Sequence, residues 1–127
     1  MAQSIATREG YGETLVELVK EGHDIMAVEA DLSGSTTTKK LQDYDSSRLV
    51  NVGIAEQNMI GVAAGLSLAG KTVFTGSFAA FGTGRCYDQI RNTVCYASLD
   101  VKVAPTHAGI TVGPDGGSHQ MLEDVSL

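Results

Sequence analysis

Apolar residues at Tyr11, Leu15, Leu18 and Val19 alternate with charged ones at a helical spacing. This predicts an amphipathic helix over residues 9–20, stopped by Gly22. Asp24-Ile25-Met26-Ala27-Val28 reads as a short buried strand, and the Ser/Thr/Gly-rich run from Asp31 to Thr38 as a loop at its end. Residues 39–47 are polar and partly helical in character. A second strand at 49–52 turns at Gly53 into an apolar, small-residue helix over 55–69, with Ile60, Ala63, Ala64, Ser67 and Leu68 at helical spacing. Residues 72–75 and 101–106 read as a third and a fourth strand. Strands alternating with helices predict an α/β domain, a parallel sheet flanked by helices.

At 127 residues the chain is long enough for one core and short for two, so residues 1–127 are taken as one domain. Hydrophobic residues make up 43% and charged residues 19%, without low-complexity tracts, which indicates a folded module. No apolar run approaches the roughly 20 residues that span a bilayer, and the first ten residues lack a signal-peptide pattern. A cytoplasmic protein with no membrane partner is therefore expected. A net charge of -6 with nine scattered basic residues argues against nucleic-acid binding. Cys86 and Cys95 lack C-x-x-C spacing and are expected to be reduced thiols. The three histidines form no HExxH pattern, so no metal site held by this chain is expected. A plain nucleotide-binding domain is disfavoured, since no G-x-G-x-x-G follows the first strand.

Candidate chemistry gathers where strands end. Glu56 falls in the first turn of the 55–69 helix, where a carboxylate ordinarily complements the helix dipole and open backbone donors. Within that helix Gly61 and Gly65 stand four apart and leave one face flat, suited to close packing on the sheet or on a partner helix. Phe78 and Phe81 are three residues apart on a helical turn among glycines. Such a pair is usually core, but beside a glycine-lined opening it also suits stacking on a planar heterocycle. The run from Thr106 to Gln120 holds His107, Asp115, His119 and four glycines, and so glycine-rich a loop is costly to order without a use. Metal ligation lacks a third His or Cys nearby, and Ser118 is not in a G-x-S-x-G elbow. Hydrogen bonding and proton transfer to a polyol fit these side chains better. Arg8 and Ser35 taken alone are a solvated charge and a turn residue, and Asp31 is a strand-end turn.

The motif Gly53-Ile54-Ala55-Glu56-Gln57-Asn58-Met59-Ile60-Gly61, continuing through Leu66, resembles the pyrimidine-binding domain of transketolase and its thiamine diphosphate relatives. The likeness runs from Ala6 to the last residue. It implies the pyrimidine-domain type of thiamine diphosphate-binding fold. It also implies transfer of a two-carbon ketol unit from a ketose phosphate to an aldose phosphate. By residue-for-residue match, Glu56 hydrogen-bonds the aminopyrimidine and is catalytic, Phe78 and Phe81 flank that ring, and Asp31 lies beside the thiazolium. Arg8, Ser35 and His107 meet the sugar phosphate, Asp115 a hydroxyl beside the reacting carbon, and His119 the carbonyl end, with His107 and His119 also counted as catalytic. One departure is Gly84, where many transketolases have tyrosine. The G-D-G motif that holds the diphosphate through Mg²⁺ is not in this sequence, so a diphosphate-binding domain or subunit is the expected partner. The chain is expected to be C-terminally incomplete, ending inside a helix after His119, and inactive alone. The resemblance places the 55–69 helix at a subunit interface, giving a homodimer or heterotetramer. Deoxyxylulose phosphate synthase shares much of the pattern and is the alternative within the superfamily. Arg8, Ser35 and Thr106-His107 favour transketolase over it. A non-catalytic α/β interaction module is the alternative outside the superfamily.

Overall fold

The structure, a computed structural model, describes residues 4–127. Helix α1 (Thr7–Lys20) begins before the apolar spacing does, since its first turn lies at the surface. β1 (Ile25–Glu29) is shifted by one residue from the expected strand and ends on an acidic side chain. Asp24 stays outside it, paired with Arg48 and Lys71 at 2.6 Å each. The segment expected as a loop contains one helical turn, α2 (Ser33–Thr36), followed by α3 (Lys39–Tyr44). β2 (Leu49–Asn51), α4 (Glu56–Leu68) and β3 (Thr72–Gly76) follow the expected order.

After β3 the chain makes a wide π-helical turn at Ala80–Gly84, a short α5 (Tyr87–Gln89) and a second π-helical segment at Ile90–Cys95. β4 (Val101–Val103) is shorter than expected. Pro105 has no N–H with which to extend the ladder, and pairing resumes only as an isolated bridge between Phe78 and Thr106. Residues 120–127 form no helix, contrary to the expectation. A 3₁₀ turn at Gly116–Ser118 leads instead into a bridge between Gly109 and Met121. Its two backbone hydrogen bonds, 2.7 and 3.1 Å, commit Met121 to extended pairing and forestall the expected helix.

All four strands are parallel, in the order β2-β1-β3-β4. The β1-to-β2 connection runs through α2 and α3 on the α1 side, whereas α4 carries the chain from β2 to β3 across the other face. After β3 the chain stays on the α4 side, where Cys86 and Val94 pack, so the neighbouring strands β1 and β3 send their continuations to opposite faces. A crevice opens beyond the carboxyl ends of such a strand pair, where open α/β sheets bind ligands. Glu29 and Gly76 are register partners there.

Alternation along the strands sorts two cores. Ile25 and Ala27 pack with Leu15, Leu41 and Leu49 on the α1 side, while Val28, Ala30 and Val73 pack with Met59, Ile60, Ala63 and Ala64 of α4. Burying each Leu, Ile or Met side chain contributes about 1.5–3 kcal/mol relative to exposure. The flat face of α4 is not the one on the sheet. Gly61 and Gly65 look outward with nothing near the position of a Cβ, and Ala63 and Ala64 make the close approach instead. Among the described residues, no helix is long and apolar enough to cross a membrane.

Candidate functional site

The site grows from the end of β3. Hydrogen bonds from Ala79 N–H to Thr106 C=O (2.7 Å) and from Thr106 N–H to Ser77 C=O (3.0 Å) clamp the segment after β4 against the residue pair Ser77-Phe78. The Phe78 ring is thereby buried at one wall of the crevice. The π-helical turn then brings Phe81 parallel to it, with centroids 6.2 Å apart and planes at 15°. His107 lies 4.0 Å from Phe78, and His119 meets Phe78 and Phe81 edge-on at 6.1 and 5.1 Å. Four rings from two chain segments thus form one aromatic wall.

Glu56 opens α4, but its carboxylate does not cap that helix. It is 3% exposed, and its Oε1 accepts from Arg85 Nη1 at 2.8 Å. The Arg85 guanidinium also sits 4.4 Å over the Phe81 ring, and its backbone carbonyl accepts from Gln57 Nε2. Behind them Cys86 is buried, and its thiol is pushed up to about 11, first by burial and then by the Glu56 charge, so it stays protonated at neutral pH.

At the opposite end, Arg8 Nη1 lies 3.1 Å from His107 Nε2. Arginine only donates, so Nε2 accepts and the ring proton sits on Nδ1, where it donates to Thr106 Oγ1 at 2.8 Å. His107 is therefore held as the neutral Nδ1–H tautomer. Burial first, then the Arg8 cation, keeps the imidazole below its ordinary value of 6.5, and Asp115 pulls the other way. As pH falls through that lowered value, Nε2 gains a proton and ceases to accept from Arg8. In a ¹H NMR titration of the ring, Arg8→Met is expected to move the His107 midpoint upward and Asp115→Asn to move it downward. Shifts in the opposite directions would dismantle this charge assignment.

Contacts therefore run continuously from Arg8 through His107, Phe78, Phe81 and Arg85 to Glu56, with His119 against both phenyl rings. Arg8, His107, Thr106 and Tyr11 also line an open cleft of about 690 Å³. Asp115 is exposed and reaches His107 only through its charge. Asp31, at φ 62°, faces Asn51, whose Oδ1 accepts from the backbone N–H groups of Asp31 and Gly53. Ser35 is in α2, fixed by its N–H to Leu32 C=O. No described hydrogen bond brings Asp31 or Ser35 to the aromatic wall.

Sequence reasoning missed Arg85, which the motif does not announce, and the buried set Glu29, Thr36 and Thr38. Both Thr hydroxyls donate to Glu29 Oε1 at 2.6 Å. An acidic residue ending an apolar strand, followed shortly by three threonines, was the available signal.

The sequence profile of the family described as the transketolase pyrimidine-binding domain matches residues 3–127. A Methanocaldococcus jannaschii protein whose name includes "transketolase C-terminal section" is 54% identical over 120 residues, covering 94% of this chain and 38% of that protein. A 6-deoxy-6-sulfo-D-fructose transketolase subunit of a Clostridium species is 42% identical, covering 94% and 37%. The solved structure titled as a split-gene transketolase, inactive β4 tetramer, superimposes with a TM-score of 0.82 at 50% identity, covering 98% of this chain and 39% of that one. The chain thus spans under two fifths of the length of these relatives. The parallel sheet, the crevice at its switch point and these matches together show that the chain belongs to the transketolase pyrimidine-binding domain family.

Proposed function

We propose that this chain supplies the pyrimidine side of a thiamine diphosphate-dependent transketolase site, for transfer of a two-carbon ketol unit from a ketose phosphate to an aldose phosphate. The carrying observation is the nearly buried Glu56 carboxylate, linked through Arg85 and the Phe81–Phe78 pair to the cationic Arg8. A carboxylate beside an aromatic wall fits a flat, basic heterocycle: the ring stacks on the phenyls and one of its nitrogens shares a proton with Glu56. When bound, thiamine diphosphate supplies the carbanion chemistry of the reaction.

This chain's residues bind, orient and move protons. Glu56 would hold a proton at the pyrimidine nitrogen, while Phe78 and Phe81 would keep water from that contact. Arg8, with Ser35 and the neutral His107, takes the anionic end of the sugar by charge-assisted hydrogen bonds. His119 and Asp115 would serve the carbonyl and hydroxyl end, and Asp31 would face the thiazolium side of a bound cofactor. The relative named for a sulfonated fructose supports an anion grip whose exact sugar varies. Mg²⁺ and the diphosphate fall to a second domain or subunit, and relatives named as subunits and as a split-gene product support that division. The outward Gly61/Gly65 face of α4 supports a helix pair between subunits, in a homodimer or heterotetramer.

The test combines the natural polypeptide carrying these residues with its diphosphate-binding partner, thiamine diphosphate, Mg²⁺, a ketose phosphate and an aldose phosphate. Transfer is expected only when both proteins are present. Association without transfer would overturn the reading.

A further inference from the structure

We propose that Glu29 is a positioning residue for the anion grip, its buried carboxyl holding the Thr36–Thr38 turn and, through Thr37, the backbone of Arg8. The inference rests on the proposed function, in which Arg8 and Ser35 take the sugar's anionic end.

Glu29 is 0% exposed, as are Thr36 and Thr38. Its Oε1 accepts both threonine hydroxyls at 2.6 Å, and those hydroxyls lie 3.1 Å from each other. Thr37, between them, points the other way, and its Oγ1 donates to the Arg8 backbone carbonyl. The turn thus has two hydroxyls on the strand-end carboxyl and one on the residue that carries the guanidinium. Ser35 immediately precedes it. Thr37 is held at φ 67°, a left-handed conformation that a β-branched residue keeps only where its surroundings impose it.

The carboxyl has no second place to go. It fills the space of the missing side chain at Gly76, where a Cβ would lie 1.7 Å from Oε1. Among the described residues its Oε2 is buried with no hydrogen-bond partner, as is the hydroxyl of Tyr11, a residue that also lines the Arg8–His107 cleft. Burial pushes the Glu29 carboxyl up, against the opposing pull of Thr36 and Thr38 and of the nearby backbone N–H groups of Leu32 and Ala30. What the turn takes from it is one oxygen acceptor in the Oε1 position, which an amide also supplies. A residue that only filled core volume would influence every substrate alike. A residue that sets the place of Arg8 influences those with an anionic end.

The experiment uses the active two-component enzyme and measures kcat and KM for a ketose phosphate and for the same ketose without its phosphate. Glu29→Ala is expected to raise KM for the phosphorylated donor roughly tenfold. Its kcat should change by less than about twofold, and KM for the plain ketose should stay unchanged. Glu29→Gln, which keeps the acceptor, should restore the phosphorylated KM to near the wild-type value. Should Glu29→Ala fail to fold in a thermal melt, Thr37→Ala cuts the link to Arg8 with the carboxyl intact and is expected to give the same phosphate-selective rise. An equal rise with both donors, no rise from either variant, or a Gln variant as impaired as Ala would overturn the role of Glu29. A wild-type enzyme that does not distinguish the two donors would instead overturn the grip itself, and absence of transfer would overturn the proposed function.

Discussion

Glu56→Gln is expected to lower ketol transfer by roughly 10²–10⁴-fold, the scale on which a positioned proton-transfer group contributes. The substitution keeps the length and shape of the side chain and leaves an oxygen for Arg85 to donate to at the present 2.8 Å. It removes the charge and the capacity to hold a proton between carboxylate and ring nitrogen. The fold should tolerate it. The charge left without its partner is the Arg85 guanidinium, whose side chain is 46% exposed and stays hydrated, while the buried end keeps a neutral acceptor in place of a carboxylate. The melting midpoint should therefore stay within a few degrees, with the far-ultraviolet circular dichroism unchanged. Steady-state rates, cofactor affinity by calorimetry and a thermal melt together separate loss of chemistry from loss of binding or fold. Near-normal turnover with cofactor demonstrably bound would remove Glu56 from the mechanism.

Gly12→Ala should lower stability, although alanine is the better helix former. Helix propensity alone favours alanine over glycine inside α1 by about 1 kcal/mol. Against that, a Cβ at residue 12 would lie 2.4 Å from Thr37 Oγ1 and 2.5 Å from the Thr37 carbonyl oxygen. Neither atom is the free end of a flexible chain. The hydroxyl is bonded to the Arg8 carbonyl, and the backbone of Thr37 sits between two residues anchored on Glu29. Relief requires α1 to lift from the turn, which opens the packing around Leu15 on the same helix. Overpacking costs about 1–3 kcal/mol, and the upper end applies where backbone must move, which exceeds the propensity gain. The melting midpoint should drop by roughly 10 °C. An unchanged or higher midpoint by calorimetry would mean that α1 slides at no cost and that the contact is not a constraint.

The sequence reveals its local patterns and leaves out what arises when distant segments meet. The strand–helix alternation was legible because apolar spacing reports burial one element at a time, and Glu56, Phe78, Phe81, His107 and His119 stood out by motif and company. The placement of Glu56 against Arg85 was not legible. It depends on α4 and the wide turn after β3 reaching the same point from segments 29 residues apart. Strand ends were blurred where side chains serve backbone geometry. Glu29 lay outside both the expected strand, 24–28, and the expected loop, 31–38, because a carboxylate inside a core is expensive unless hydroxyls reach it. The missing helix after His119 has a similar cause: Met121 finds its backbone partner at Gly109, twelve residues back, which no helical periodicity could announce. Asp31, Ser35 and Asp115 carry roles implied by family likeness, and the site's own contacts neither recruit nor exclude them.

The π-helical turn at Ala80–Gly84 turns chain length into direction. In an ordinary helix each residue is rotated from its predecessor by about 100°. The looser winding here sets the phase at which Arg85 emerges, over Phe81 and onto Glu56. Losing a single residue from this stretch and tightening it to α-helical winding would turn the guanidinium toward a different side of the helix, even though Phe81, Arg85 and Glu56 were all kept. A one-residue change in the length of this turn is therefore a rotation of the aromatic wall's far end.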